Sequence, residues 1–202
     1  MKKKKNQDMS FSPSHERGVG LVVVILVLAF MLAVGLSLVT VTGTGPQIAS
    51  NVRNKQAALN AAEAGFDAGW MTIEDAFTTG AWLSFDAHYL AEPYGIDKPD
   101  DLTNYFRRLT DQELLNLIDS NGDGVPDVNN VIFFMEPYVL KPDGSLDPRY
   151  TYTVFLIDDE AGGIDPTNHN DTLMICIGTA GVGKNLSTTR LEIEMAVQLP
   201  GG

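Results

Sequence analysis

The chain has 202 residues, enough for one modest domain and a long appendage. Its 14 Lys and Arg stand against 26 Asp and Glu, a formal net charge of −12, which excludes nucleic-acid binding by bulk charge. A single cysteine, Cys176, excludes an intrachain disulfide and a multi-cysteine metal cluster.

The first 18 residues are basic. Lys2, Lys3, Lys4, Lys5 and Arg17 outnumber Asp8 and Glu16, so the acidic excess lies entirely beyond them. No charged residue then occurs before Arg53. Within that window, 19–41 is mainly aliphatic, and as a helix it spans about 34 Å, the thickness of a bilayer core. The run is longer than a signal-peptide core and lacks the polar face of a soluble core helix. The basic flank is expected in the cytoplasm and the acidic remainder outside.

Gly43, Gly45 and Pro46 are predicted to kink or soften the helix that follows. Residues 51–70 are alanine-rich, with Ala58, Ala62, Phe66 and Gly69 or Trp70 at spacings of three and four. One helix is therefore expected over 19–76, its second half burying a stripe against a head at 77–202.

Residues 77–108 show no period. Trp82, Phe85, Tyr89, Tyr94 and Tyr105 are expected to pin a loop to a core, and Pro93 and Pro99 interrupt long elements. Thr110-Asp-Gln-Glu113 has the form of a capping box for a short helix through Ile118. Strands are predicted at 131–135, 138–140, 150–157 and 173–177, with a turn at 141–144. In the last strand Leu191, Ile193, Met195, Val197 and Leu199 alternate with Arg190, Glu192, Glu194, Ala196 and Gln198, one face packed and one wet. The expected fold class is α+β: a long N-terminal helix against a small antiparallel sheet.

Between helix and strands lies Asp119-Ser-Asn121-Gly-Asp123-Gly124-Val125-Pro-Asp127. It sets oxygen donors at positions 1, 3, 5 and 9, with a carbonyl at Val125 and glycine at 6. Calcium takes six to eight oxygens, and such a tightly turned loop can supply several of them. Asn130 stands where an EF-hand has glutamate, and strand follows instead of a second helix. The expectation is a helix-entered calcium loop over 119–130, completed by an acidic group near Asp158 or Asp171. A solvated turn is the competing reading. The acidic stretch 158–171 is expected to be a structured turn, with a second metal site the lesser alternative.

Other features carry little chemistry. Gly178 to Lys184 has the glycine spacing of a phosphate loop, yet Asn185 replaces the magnesium-holding hydroxyl and a strand follows. A hairpin turn is expected there. Cys176 sits in an apolar strand, a core thiol and not a nucleophile. His15, His88 and His169 have no zinc spacing, and no acid–base pair stands out, so no enzyme activity is expected.

The opening Glu16-Arg-Gly-Val-Gly-Leu-Val-Val-Val-Ile25 and the later Gln56-Ala-Ala-Leu-Asn-Ala-Ala-Glu-Ala-Gly65 resemble the N-terminal region of PilX-type minor pilins of type IV pili. The opening is also similar to GspK-type secretion pseudopilins, as is the acidic-glycine stretch 157–162. The resemblance implies a pilin-like fold, with a leader at 1–18 cut by a prepilin peptidase between Gly18 and Val19. It implies an N-methylated Val19 as the mature terminus. It assigns assembly roles to the positions of Val23 and Glu63. Major pilins carry glutamate at the fifth mature position, whereas Val23 stands there in this chain, as in PilX-like and GspK-like members. A minor subunit follows, favoured at an initiating or tip position.

The partners so implied are other pilin subunits, the prepilin peptidase, the inner-membrane assembly platform and a surface or cell ligand of the head. The implied location is the inner membrane, then an extracellular pilus, with adhesion or assembly as the task. Two other readings stand beside it, a type II secretion pseudopilin and a membrane-anchored extracellular recognition domain.

Overall fold

A computed structural model describes residues 16–90, 92–158 and 171–197. The chain divides into two compact units, Met1–Ala49 and Ser50–Gly202. Residues 1–15 of the predicted 1–18 leader, most of the acidic stretch (159–170) with His169, and Gln198 and Leu199 lie outside the described residues.

Helix α1 covers Glu16–Thr78, 63 residues with Pro46 inside it. The helical backbone runs through 43–46, where glycine and proline predict a kink. In the first unit, Val19–Val39 is long and apolar enough to cross a membrane, and its window is wholly unburied. Its one hydroxyl in the described stretch, Ser37, donates to the Ala33 carbonyl at 2.8 Å, which leaves the apolar surface without a bare donor.

In the second unit the described residues form α2 (Asp111–Ile118) and strands β1 (Val131–Pro137), β2 (Tyr150–Ile157), β3 (Asp171–Ala180) and β4 (Ser187–Ala196). The sheet order is β1-β2-β3-β4, antiparallel at every pairing. The fold is α+β and pilin-like: an N-terminal apolar helix with a four-stranded antiparallel sheet.

The helix meets the sheet through small residues. Ala58, Ala61 and Ala62 are fully buried, and Gly65, Gly69 and Ile73 continue the stripe. Of the two predicted positions, Gly69 faces the sheet, while Trp70 is half exposed and tilts against Phe66 at 6.2 Å. A Cβ at Gly178 of β3 would collide with the backbone of Ala58 and Ala62, so this glycine sets the distance of closest approach.

Both faces of the central strands are covered. Tyr152, Val154, Leu156, Met174 and Cys176 pack on the α1 side with Phe85 and Ile73. Phe155, Ile157, Leu173, Ile175 and Ile177 pack on the other side with Leu90, Ile96, Phe106, Leu114, Leu115 and Ile118. Burial on both faces explains why β2 and β3 are continuous apolar runs and not alternating ones.

Three details differ from the sequence expectation. The strand predicted at 138–140 does not form, because β1 ends at Pro137 and Leu140 makes an isolated bridge to Leu146 across the 141–144 turn. β1 is irregular, with register shifts on both sides of Phe133 and a left-handed Met135 (φ 46°) whose N–H donates to the Thr153 hydroxyl. The polar face of β4 is not simply wet, since Arg190 is held by Asp111 at 2.8 Å and by the carbonyls of Phe106 and Leu109.

Candidate functional site

Three features carry the functional reading. The first is the N-terminal helix. Gly18 and Val19 both lie within α1, and Val19 and Val23 are exposed, at 65% and 54%. Glu63 is exposed on the same helix, one residue past the buried Ala62. An uncharged, fully exposed helix requires a surrounding of lipid or of other apolar helices.

The second is the acidic loop. Thr110 caps α2, its hydroxyl accepting from the Glu113 N–H while the Glu113 carboxylate accepts from the Thr110 N–H. The Thr110 N–H and hydroxyl, both donating to it, hold the Glu113 carboxyl below its usual range. The helix ends at Asp119, which is also the loop's first candidate ligand. Asp119 accepts from the N–H groups of Gly122, Asp123 and Gly124. Asn121 accepts from the Asp123 N–H at 2.8 Å, and Asp123 from the Val125 N–H at 2.9 Å. Gly122 and Gly124 are both left-handed (φ 74° and 85°), the conformation that lets successive N–H groups point inward.

Asp127 has a different role. One of its oxygens accepts from the Ser120 N–H, the Ser120 hydroxyl and the Asn121 N–H, and the other from the Asn121 amide. The Ser120 hydroxyl and N–H hold its carboxyl below the usual range. A carboxylate has about four acceptor sites, so Asp127 spends its capacity closing the loop, whereas Asp123 keeps most of its own. Of the expected ligands Asp119, Asn121, Asp123, the Val125 carbonyl and Asp127, Asp127 is the one most engaged by loop donors. Among the described residues no three of His, Cys, Asp and Glu gather as a metal-holding group. Asp119, Asp123 and Gly124 border a cavity of about 420 Å³ floored by Leu115, Phe134 and Leu186.

The third is the 178–184 glycine segment. Gly178 lies inside β3 against α1, and Gly183–Asn185 is one 3-10 turn leading into β4. No helix N-terminus follows the glycines, which is the element an anion would need. Cys176 is fully buried, and burial pushes its thiol up to about 12, an inert core group.

Residues 17–67 match the family model described as PilX N-terminal. Over those residues the chain is similar to PilX-type minor pilins. The match covers the basic-to-apolar junction, the whole exposed run Val19–Val39 and the buried alanines of α1. No curated protein and no solved structure matches the chain. The PilX-like segment and the antiparallel sheet together fit a pilin-like chain with one helix long and apolar enough to cross a membrane. PilX is a family of structural pilins.

Proposed function

We propose that this protein is a minor subunit of a type IV pilus, made as an inner-membrane precursor and then moved into the filament. The observation that carries the reading is the matched helix, apolar on every side over Val19–Val39 and joined to a head by a small-residue stripe. Such a helix exchanges lipid contacts for contacts with sister helices at little hydrophobic cost.

In this reading the prepilin peptidase cuts between Gly18 and Val19, Val19 becomes the methylated terminus, and the assembly platform lifts the subunit out with its head outward. Val23 supports a place at the start or tip of the filament. Without a carboxylate at the fifth position, the terminal amine has no partner on a neighbouring subunit in the shaft. The exposed Glu63 is assigned to contacts between subunits.

Calcium belongs to the same proposal. Asp119, Asn121, Asp123 and the Val125 carbonyl would hold the ion, and Asp127 would brace the loop around it through Ser120 and Asn121. The ion would supply charge neutralisation and stiffness to a head that contacts surfaces or cells.

Gold labelling of a tag on the head tests the placement in native filaments. Label confined to filament ends is expected. Even label along the shaft overturns the tip assignment, and label absent from filaments overturns the pilus reading in favour of a secretion pseudopilin or a standing membrane anchor.

A further inference from the structure

The two edges of the sheet are finished differently. β1, at one edge, is broken by register shifts on both sides of Phe133 and ends at Pro137, features that blunt an edge against further pairing. β4, at the other edge, pairs with β3 over Ser187–Ala196 without a shift. The Gly181 N–H donates to the Arg149 carbonyl, one pair past Tyr150 and Ala180, and this sets the bonding alternation of the sheet. Odd-numbered residues of β3 bond to β2 and even-numbered ones to β4. Through the β3–β4 register, Thr188, Arg190, Glu192, Glu194 and Ala196 therefore turn their N–H and C=O groups outward. Among the described residues no backbone bond reaches those groups.

The flank of α1 beside this edge is apolar. Val52, Leu59, Phe66, Trp70 and Phe77 follow one another at helical spacing on the side of α1 that runs along β4. A cavity opens at each end of the slot between helix and strand. One, of about 350 Å³, is bordered by Val52, Lys55, Leu59 and Thr189, whose hydroxyl is buried without a partner. The other, of about 290 Å³, is bordered by Trp70, Glu74, Phe77, Met195 and Val197. Between them Leu191 and Ile193 are only partly buried. The charge along the slot is negative. Glu63 and Glu74 stand on the helix and Glu194 on the strand, and none of the three is in an ion pair among the described residues. Arg190 is neutralised by Asp111, and Glu192 is met by Arg107.

We propose that this slot takes an extended strand of another protein, antiparallel to β4, apolar at alternate positions and basic between them. An open backbone edge selects a strand and not a helix, because the outward N–H and C=O groups need main-chain partners. Directly opposite residues of an antiparallel pair share a face. Each incoming residue that bonds to β4 thus sends its side chain to the face of Arg190, Glu192 and Glu194, where Lys or Arg gains a cross-strand carboxylate. The residues between them point to the α1 side, where Leu191, Ile193, Phe66 and Trp70 offer apolar surface. A second copy of β4 suits the edge less well, since it brings its own Glu192 and Glu194 to a strand already carrying both. The partner strand becomes the fifth of the sheet and covers the flank of α1.

The slot lies wholly within the second unit, so the proposal stands apart from the membrane and pilus readings. The probe is a peptide of alternating valine and lysine, blocked at both ends and 10 residues long like β4. Hydrogen exchange of the full chain in detergent, resolved residue by residue, reads its binding. In the free chain the amides of Arg190, Glu192 and Glu194 should exchange fast, and those of Leu191, Ile193 and Met195 slowly. Peptide at about ten times its Kd should slow the even-numbered set about tenfold and change the odd-numbered set far less. N-methylation of the lysine amides should abolish the effect, and N-methylation of the valine amides should not, because only the lysine amides face β4. Glu194→Lys should weaken binding about fivefold, while the odd-numbered amides report that the strand is kept. No slowing of the even-numbered set at about 1 mM peptide overturns the proposal. Equal slowing of both sets overturns it too, as does equal binding of the two methylated peptides. Slowing that rises with protein concentration in the absence of peptide overturns the choice of partner and assigns the edge to a second copy.

Discussion

Gly178→Ala is the sharpest probe of how the head is held on α1. The added Cβ would meet the Ala58 carbonyl oxygen, the Ala62 amide nitrogen and, at 3.0 Å, the Ala61 carbonyl carbon. All three are backbone atoms of a buried helix, so no side chain can swing aside. Either the strand or the helix must move, and the packing of Ala58, Ala61 and Ala62 loosens along the stripe. Overpacking of this kind costs about 3 kcal/mol where the neighbours are rigid. For a chain of this size the melting temperature falls by about 6–12 °C. A glycine of α1 gives the control. A Cβ at Gly69 would meet the flexible Met174 sulfur and one Val154 methyl, both at 3.0 Å, and helix propensity gains about 1 kcal/mol. Gly69→Ala should therefore sit within about 1 kcal/mol of the parent. Removing the Ala58 methyl (Ala58→Gly) should not rescue Gly178→Ala, because the clash is with the carbonyl and not the methyl. Thermal melts of the full chain in detergent, followed by near-ultraviolet circular dichroism, read all four. A Gly178→Ala chain that melts with the parent, or is rescued by Ala58→Gly, refutes the close-approach reasoning.

Arg190→Lys keeps the charge but loses the fork that reaches Asp111, Phe106 and Leu109 together, so denaturant titration should show a loss of about 2 kcal/mol, with Arg190→Ala losing about 3 kcal/mol. The Asp147 carboxyl, held by Arg149, lies at about 2 against an ordinary 3.8. Its folded value is depressed, so its contribution is present above about 4 and fades as the pH falls toward about 2. Hydrogen exchange at the 138–149 hairpin should accelerate through that window, and Asp147→Asn should abolish the pH step. Calcium at a hundred times its Kd should stabilise the head by about 2.7 kcal/mol in melts against chelator, and Asp123→Asn should remove the difference. Identical melts with and without the ion contradict the calcium assignment.

Much of this fold was legible in local patterns. The apolar run needed only the absence of charge, and the Thr110 to Glu113 spacing announced α2 with its cap in place. The loop's glycines and side-chain oxygens foretold its turn, because those residues bond to their own neighbours. Long-range features were hidden for a corresponding reason. Arg190 reads as a solvated residue of an alternating strand, since its partner Asp111 lies 79 positions away and two further acceptors are backbone carbonyls. Gly178 reads as part of a glycine-rich turn until the helix is seen against it. The second layer over the sheet is visible only in hindsight, through Ile96, Phe106 and Leu114. The 181–186 turn gave no sequence sign of meeting α1, because the Asn54 amide reaches a main-chain carbonyl 131 positions away.

The intact mass of this chain recovered from purified filaments tests the account most directly. A mature protein beginning at an N-methylated Val19 and carrying the PilX-type helix within the filament is the expected result. A chain that keeps Met1 through Gly18 and stays with the membrane, never with a filament, contradicts it.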